Sequence, residues 1–320
     1  MKTQGGDASL QPEEIALLKQ SSWLLSPEDG FPMGKGEMAR NRLMDLGAGR
    51  LQNMDEGNID IQVLSLTSPG VQMFAPAEAA EIARKTNNMI SQTIRQHPQR
   101  YAGLATLAPQ DPEGAAEELK RAVQELDFRG ACINSHTRGE YLDDKKYHVI
   151  LEAAAKLDVP IYIHPRTPSA DMLKPYLAYP GLHGAILGFS AEVSLHALRL
   201  IFSGVFDKFP GLKIILGHLG EALPYWMWRI DNHWQRQAVK LKKSPSEYLR
   251  DNFYVTTSGM CWYPALLCAI LALGADRILF AADYPHESGK EAADFMMAAP
   301  ISAADKEKIM HATAEKLFKL

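Results

Sequence analysis

Val159-Pro160-Ile161-Tyr162-Ile163-His164-Pro165, Leu212-Lys213-Ile214-Ile215-Leu216-Gly217-His218 and Arg277-Ile278-Leu279-Phe280-Ala281-Ala282-Asp283 decide the fold. Each is a short apolar run that closes on one polar side chain. Short apolar runs without polar alternation suit strands of a parallel sheet buried on both faces. In an α/β barrel the C-terminal strand ends converge on one mouth, and reacting side chains collect there. Two imidazoles and a carboxylate at such ends are residue types that hold one divalent metal and its chemistry.

Working outward, a strand–helix rhythm covers most of the chain. A helix over 37–57 ends at Gly57-Asn58. Strands are expected at 61–66, 101–107, 129–134, 159–164, 212–217, 252–257 and 277–282. The helices between and after them are expected at 76–97, 112–126, 144–157, 190–207, 221–239, 263–273, 289–297 and 302–318. Asp111-Pro112 and Phe209-Pro210 punctuate the units. This makes seven units, where a closed barrel needs eight. Residues 1–36 are weakly patterned, with a short helix expected at 11–20, and no strand reads before residue 37. The expected architecture is a single α/β domain over 1–320, a (β/α)8 TIM-like barrel whose first strand is absent from the chain.

Composition narrows the function classes. A net charge of −4 and a pI near 6.2 leave no basic footprint for nucleic acid. No apolar run reaches the roughly 18 residues of a membrane span. The N-terminus lacks the apolar core of a signal peptide. Three cysteines without a CxxC pair suit a reducing compartment better than a disulfide framework. A cytoplasmic protein is expected.

Among the polar residues, Pro165 stops its strand and leaves the His164 imidazole at the mouth. His218 is followed three residues later by Glu221, which can accept from an imidazole N–H and raise its basicity. A glutamate there also suits a helix N-terminus on electrostatic grounds alone. Asp283 could equally be only a cap for the next helix. His196 lies on an apolar helix and reads as a satisfied core histidine. His136, just past Asn134, and His286, just past Asp283, could reach the mouth. Arg229 reads either as a surface ion-pair former or as a guanidinium fork for an anion. Phe189 could wall an aryl ring or serve the core.

Together these motifs resemble the amidohydrolase-related decarboxylases, the aminocarboxymuconate-semialdehyde decarboxylase-like group. The nearest in kind are the nonoxidative aryl decarboxylases acting on 5-carboxyvanillate, γ-resorcylate and 2,3-dihydroxybenzoate. The resemblance runs from about Asn41 to Leu320. It rests on Leu64-Ser65-Leu66-Thr67-Ser68-Pro69-Gly70-Val71-Gln72, Ile133-Asn134-Ser135-His136-Thr137, Tyr162-Ile163-His164-Pro165, Gly217-His218-Leu219-Gly220-Glu221 and Asp283-Tyr284-Pro285. It implies an amidohydrolase-superfamily barrel with His164 and Asp283 as ligands of Mn²⁺ or Zn²⁺. Asp283, His218 and Glu221 become the catalytic residues, and Arg229, Phe189, Asn134 and His286 the substrate contacts. It also implies a homodimer or homotetramer. The family's first strand carries a Glu-x-His or Glu-Glu-Ala motif whose glutamate is a further ligand. Glu13-Glu14-Ile15 is the only near match, in a stretch that reads as helix.

The expected activity is therefore metal-dependent, nonoxidative decarboxylation of an ortho-hydroxylated benzoate with release of CO₂. The alternatives are a metal-dependent hydrolase of an ester, lactone or amide, since fold does not fix chemistry, and an inactive barrel short of its first-strand ligand.

Overall fold

The computed structural model describes residues 41–320. The expected short helix, the weakly patterned segment and the Glu13-Glu14-Ile15 motif lie outside the described residues. The strands are β1 (Gln62–Leu64), β2 (Tyr101–Gly103), β3 (Ala105–Thr106), β4 (Ala131–Asn134), β5 (Pro160–His164), β6 (Lys213–Leu216), β7 (Phe253–Thr256) and β8 (Ile278–Leu279). All pairings are parallel, β1 with β2 and then β3 through β8 in chain order. The strand expected at 101–107 is one strand interrupted at Leu104. At Leu104 pairing passes from β1 to β4, and two residues further on the Asn87 side chain accepts from Thr106 N at 2.8 Å and donates to Thr106 O at 3.0 Å. Among the described residues, seven strand positions stand in sequential order. No eighth lies between β1 and β8.

The main helices are α1 (Ala48–Glu56), α2 (Pro76–Gln96), α3 (Pro112–Glu125), α4 (His148–Leu157), α5 (Gly188–Phe202), α6 (Leu223–Trp234), α7 (Pro245–Asn252), α8 (Tyr263–Leu273) and α9 (Gly289–Met297). Five boundaries differ from expectation. Within the described part of 37–57, the helix is broken at 45–47, where Asp45 Oδ1 accepts from Gly47 N at 2.8 Å. The stretch 144–157 begins with a tight turn at Lys145–Tyr147 before α4. The stretch 190–207 splits at Gly204, whose φ of 78° ends α5 before the turn Val205–Lys208. The stretch 221–239 starts at Leu223 and stops at Trp234. The stretch 302–318 is three short pieces, Ala303–Glu307, Lys308–Ala312 and Thr313–Phe318. Helix α7 was not expected. It begins with Ser244, whose N–H donates to Glu247 Oε2 at 2.7 Å, the reciprocal half of a capping box.

Alternation along the strands separates two cores. Ile133, Ile161, Ile163, Ile214, Leu216, Phe253, Val255 and Ile278 pack outward against the helices. Leu104, Cys132, Tyr162, Ile215, Tyr254 and Leu279 pack with one another inside the sheet. Leu317 and Phe318 of the closing helix join that inner cluster. The same helix end is tied to the start of β5, because Lys319 Nζ meets Asp158 Oδ2 at 2.9 Å. The inner space is thus plugged at the N-terminal strand ends. At the other end the inward positions two residues beyond Cys132, Tyr162, Ile215 and Tyr254 belong to Asn134, His164, Gly217 and Thr256. Asn134 and His164 are register partners. The fold therefore turns an alternation of side chains into a polar mouth.

Candidate active site

The mouth is built on backbone that ordinary side chains avoid. From His218 to Ala222, five consecutive residues have positive φ: 48°, 54°, 84°, 54° and 66°. This is one turn of left-handed helix, and only Gly220 adopts it without steric penalty. Each of the other four costs about 1 kcal/mol or more. Backbone strain of this kind clusters at functional sites. Asp283 also has a positive φ, 67°.

The left-handed turn aims the side chains of His218 and Glu221 at each other. His218 Nδ1 lies 2.6 Å from Glu221 Oε1, and the Glu221 side chain is fully buried. On the other side of the ring, His218 Nε2 lies 3.9 Å from Asp283 Oδ2, an ion pair rather than a close hydrogen bond. Burial pulls the His218 imidazole down, but Asp283 and Glu221 outweigh it and push it up to about 10. Burial pushes the Asp283 carboxyl up, yet His218, His164 and His286 together hold it below its ordinary value.

His164 is the third member. Its Nδ1 lies 2.9 Å from the Pro165 carbonyl, so the ring donates there and keeps the Nε2 lone pair unprotonated. Burial pushes its imidazole below the ordinary value. A neutral imidazole with one nitrogen tied to a carbonyl suits metal ligation, and a half-buried carboxylate among three imidazoles suits it too. His164 and Asp283 therefore fit a divalent cation. His218 has both ring nitrogens facing carboxylates, Glu221 on one side and Asp283 on the other. Among the described residues, no three His, Cys, Asp or Glu side chains are placed to enclose a metal.

Below the mouth, hydroxyls form a chain. Tyr162 Oη lies 3.2 Å from Thr256 Oγ1, which lies 2.7 Å from Ser258 Oγ, and Ser258 Oγ accepts from His218 N at 3.4 Å. Beside it, Asn134 is buried, and its backbone is clamped by Gln72. Gln72 Oε1 accepts from Asn134 N at 2.7 Å, and Gln72 Nε2 donates to Asn134 O at 3.1 Å. His286 is exposed, one turn past Asp283, with its N–H on the Asp283 carbonyl at 2.9 Å. Phe189 is half-buried at the start of α5. Arg229 is exposed on α6, with no hydrogen bond or ion pair to the described residues. It shares that helix with exposed Tyr225, Trp226 and Trp228.

Two histidines settle as structure. His196 is fully buried, with Nδ1 3.1 Å from Ser135 Oγ and Nε2 accepting from Leu142 N at 3.1 Å. His136 has both ring nitrogens engaged, by Thr167 O and Gly139 N. Sequence reasoning passed over Gln72, Ser194, Thr256 and Ser258. The partners of Gln72 and Ser194 lie on other units of the barrel, so no local spacing marks them.

A sequential parallel sheet around a polar mouth, with an imidazole and a carboxylate at strand ends, defines an amidohydrolase-type barrel. The chain matches the amidohydrolase family over residues 38–320 and belongs to it. It is 44% identical over 292 residues to γ-resorcylate decarboxylase of Polaromonas sp. (strain JS666), covering 88% of this chain and 90% of that one. A 5-carboxyvanillate decarboxylase from Novosphingobium aromaticivorans, solved with manganese and 4-hydroxy-3-methoxy-5-nitrobenzoic acid, superposes with a TM-score of 0.87 at 42% identity. That match covers 91% of this chain and 85% of the other. A 2,6-dihydroxybenzoate decarboxylase complexed with 2,6-dihydroxybenzoate superposes with a TM-score of 0.88 at 40% identity, covering 92% and 96%.

Proposed function

We propose that this chain is a carboxy-lyase that removes CO₂ from an ortho-hydroxylated benzoate without an oxidant. The observation that carries the reading is the line Glu221–His218–Asp283, with its 2.6 Å and 3.9 Å contacts. Loss of CO₂ directly from an aryl carboxylate would leave an unstable aryl anion. Protonation of the ring carbon bearing the carboxylate comes first, and the ortho oxygen donates charge to the ring. The C–C bond then breaks, its electron pair restores the aromatic ring, and CO₂ departs. The protein must supply one proton and hold the anion in place.

The proton rests on His218, whose imidazole is raised, while the Asp283 carboxyl is lowered. His218 Nε2, or Asp283 once the 3.9 Å gap has closed and the proton has crossed to it, gives that proton to carbon. Glu221 keeps the ring oriented and compensates the imidazolium charge. His164 and Asp283 would hold the divalent cation, Mn²⁺ or Zn²⁺. When bound it supplies Lewis acidity and an electrostatic anchor for the substrate's oxygens. Asn134, Phe189, His286 and Arg229 remain the proposed substrate contacts.

The protein acts as one barrel domain in the cytoplasm. Among the described residues no helix is long and apolar enough to cross a membrane. The assembly is a homodimer or homotetramer. Exposed Tyr225, Trp226 and Trp228 on α6, with Trp262 and Leu271 at neighbouring α8, offer an apolar face for a second copy. The test is CO₂ release from 5-carboxyvanillate, γ-resorcylate and 2,3-dihydroxybenzoate by protein loaded with Mn²⁺. Release from at least one is expected. No release from any of them, with ester or lactone hydrolysis by the same sample, would replace this reading with the hydrolase.

A further inference from the structure

We propose that Ser194 on α5 is a positioning residue for the His218–Glu221 pair. It acts by pinning the left-handed turn that carries both. The proposal rests on the reading of that pair as the proton-handling group.

The turn has little to hold it from within. Gly220 N donates to Gly217 O at 2.8 Å, which closes it locally. Two side chains tie it to the rest of the barrel. His218 N reaches Ser258 Oγ at a long 3.4 Å. Ser194 Oγ donates to the Glu221 carbonyl at 2.6 Å, and this is the shorter tie by far. Ser194 is 5% exposed on a helix whose neighbouring residues Val193, Ala197, Leu200 and Ile201 are fully buried. A buried serine on a helix commonly turns its hydroxyl back onto its own helix. Here it leaves the helix and crosses 27 residues of sequence to a strained carbonyl.

The side chain of Glu221 explains why this matters. Oε1 meets His218, and Oε2 is buried without a hydrogen-bond partner among the described residues. No donor other than the imidazole therefore orients the carboxylate. Its place is set by its backbone, and Ser194 holds that backbone. The platform is itself well anchored. Glu192 of α5 accepts from Ser135 Oγ at 3.0 Å and from Tyr141 Oη at 3.0 Å, and His196 lies 3.1 Å from the same Ser135 hydroxyl. Ser135, with φ of 38°, follows Asn134 directly. One helix thus braces the strained loops after β4 and β6 at once.

The test compares S194A with the matched pair S194T and S194V, which have nearly the same shape and differ in the hydroxyl. Two readouts are taken on the full chain. The first is the downfield proton NMR signal of the short His218–Glu221 hydrogen bond in substrate-free protein, assigned by its loss in H218Q. The second is kcat and KM for CO₂ release. In S194A and S194V the downfield signal should weaken or vanish and kcat fall about tenfold, with KM within about twofold. S194T should keep both. Equal behaviour of S194T and S194V would overturn the proposal, as would a wild-type NMR signal in S194A whatever its kcat. If wild-type protein releases no CO₂ but the signal still follows the hydroxyl, Ser194 positions the pair and only the decarboxylase reading fails.

Discussion

Glu221→Gln removes one charge and no atoms of bulk from a fully buried contact. Its consequences can be worked from one distance and one unpartnered oxygen. Oε1 lies 2.6 Å from His218 Nδ1, so the amide must present its oxygen there to keep any bond. That places the amide nitrogen where Oε2 now has no partner. A buried donor without an acceptor costs about 1–3 kcal/mol. The lost charge assistance is of similar size, because hydrogen bonds to charged groups contribute roughly 1.5–3 kcal/mol. If that difference is felt in the transition state, kcat falls about 10- to 100-fold. KM should stay near wild type if Glu221 does not touch substrate. The stability effect also has a sign in pH. His218 is raised from an ordinary 6.5 to about 10 in the fold. Stability from a raised imidazole is fully present below the unfolded pKa and is lost as pH climbs through the folded one. The gap in unfolding free energy between wild type and variant should therefore be full near about pH 6 and shrink towards about pH 10. Denaturant titrations at several pH values, with initial rates of CO₂ release, measure both effects. A variant with kcat within twofold of wild type would refute the role given to the carboxylate. A stability gap that widens with pH would refute the sign.

Other outcomes follow from the same geometry. His164→Ala should lower the manganese retained after dialysis, measured by elemental analysis, because it removes one of two proposed ligands; unchanged stoichiometry would rule that ligand out. Gln72→Ala should cost about 2–3 kcal/mol in chemical denaturation, because Asn134 N, Asn134 O and His136 O lose a buried partner. His196 is buried neutral, its imidazole pushed down to about 3, chiefly by burial. A lowered imidazole makes the unfolded chain bind more protons between about pH 3 and 6.5, so the fold loses stability as pH falls through that window. His196→Gln should make the pH slope of unfolding free energy shallower there by about one proton.

The barrel was legible because its strands are buried on both faces, so seven apolar runs stand out from the helices between them. Each expected strand has its counterpart, and the errors lie where tertiary contacts override local pattern. Residues 101–107 read as one strand because nothing in the run signals that its pairing passes from β1 to β4 at Leu104. Residues 221–239 read as helix from Glu221, since an acid in a first turn looks like a helix start. The helix waits until Leu223 because the chain is still left-handed at Ala222. Two errors had a visible signal. Gly204, inside the stretch expected as helix 190–207, supplies the positive φ that ends it. Ser244 and Glu247 spell the capping box of α7.

For the site, spacing was informative about partners and silent about handedness. His218 and Glu221 at i and i+3 are neighbours on a right-handed helix surface too. There they would form an exposed pair of small energetic consequence. The left-handed turn instead buries the glutamate, keeps its oxygen 2.6 Å from the ring and leaves the other ring nitrogen facing Asp283. Four non-glycine residues accept an unfavourable backbone for this, and local propensity alone argues against it at every one of them. The compensation comes from a hydroxyl on α5 and a hydroxyl after β7, elements distant in sequence. A residue pattern can name the imidazole and the carboxylate. Which way the chain coils between them is decided by what the surrounding barrel offers the backbone to bond with.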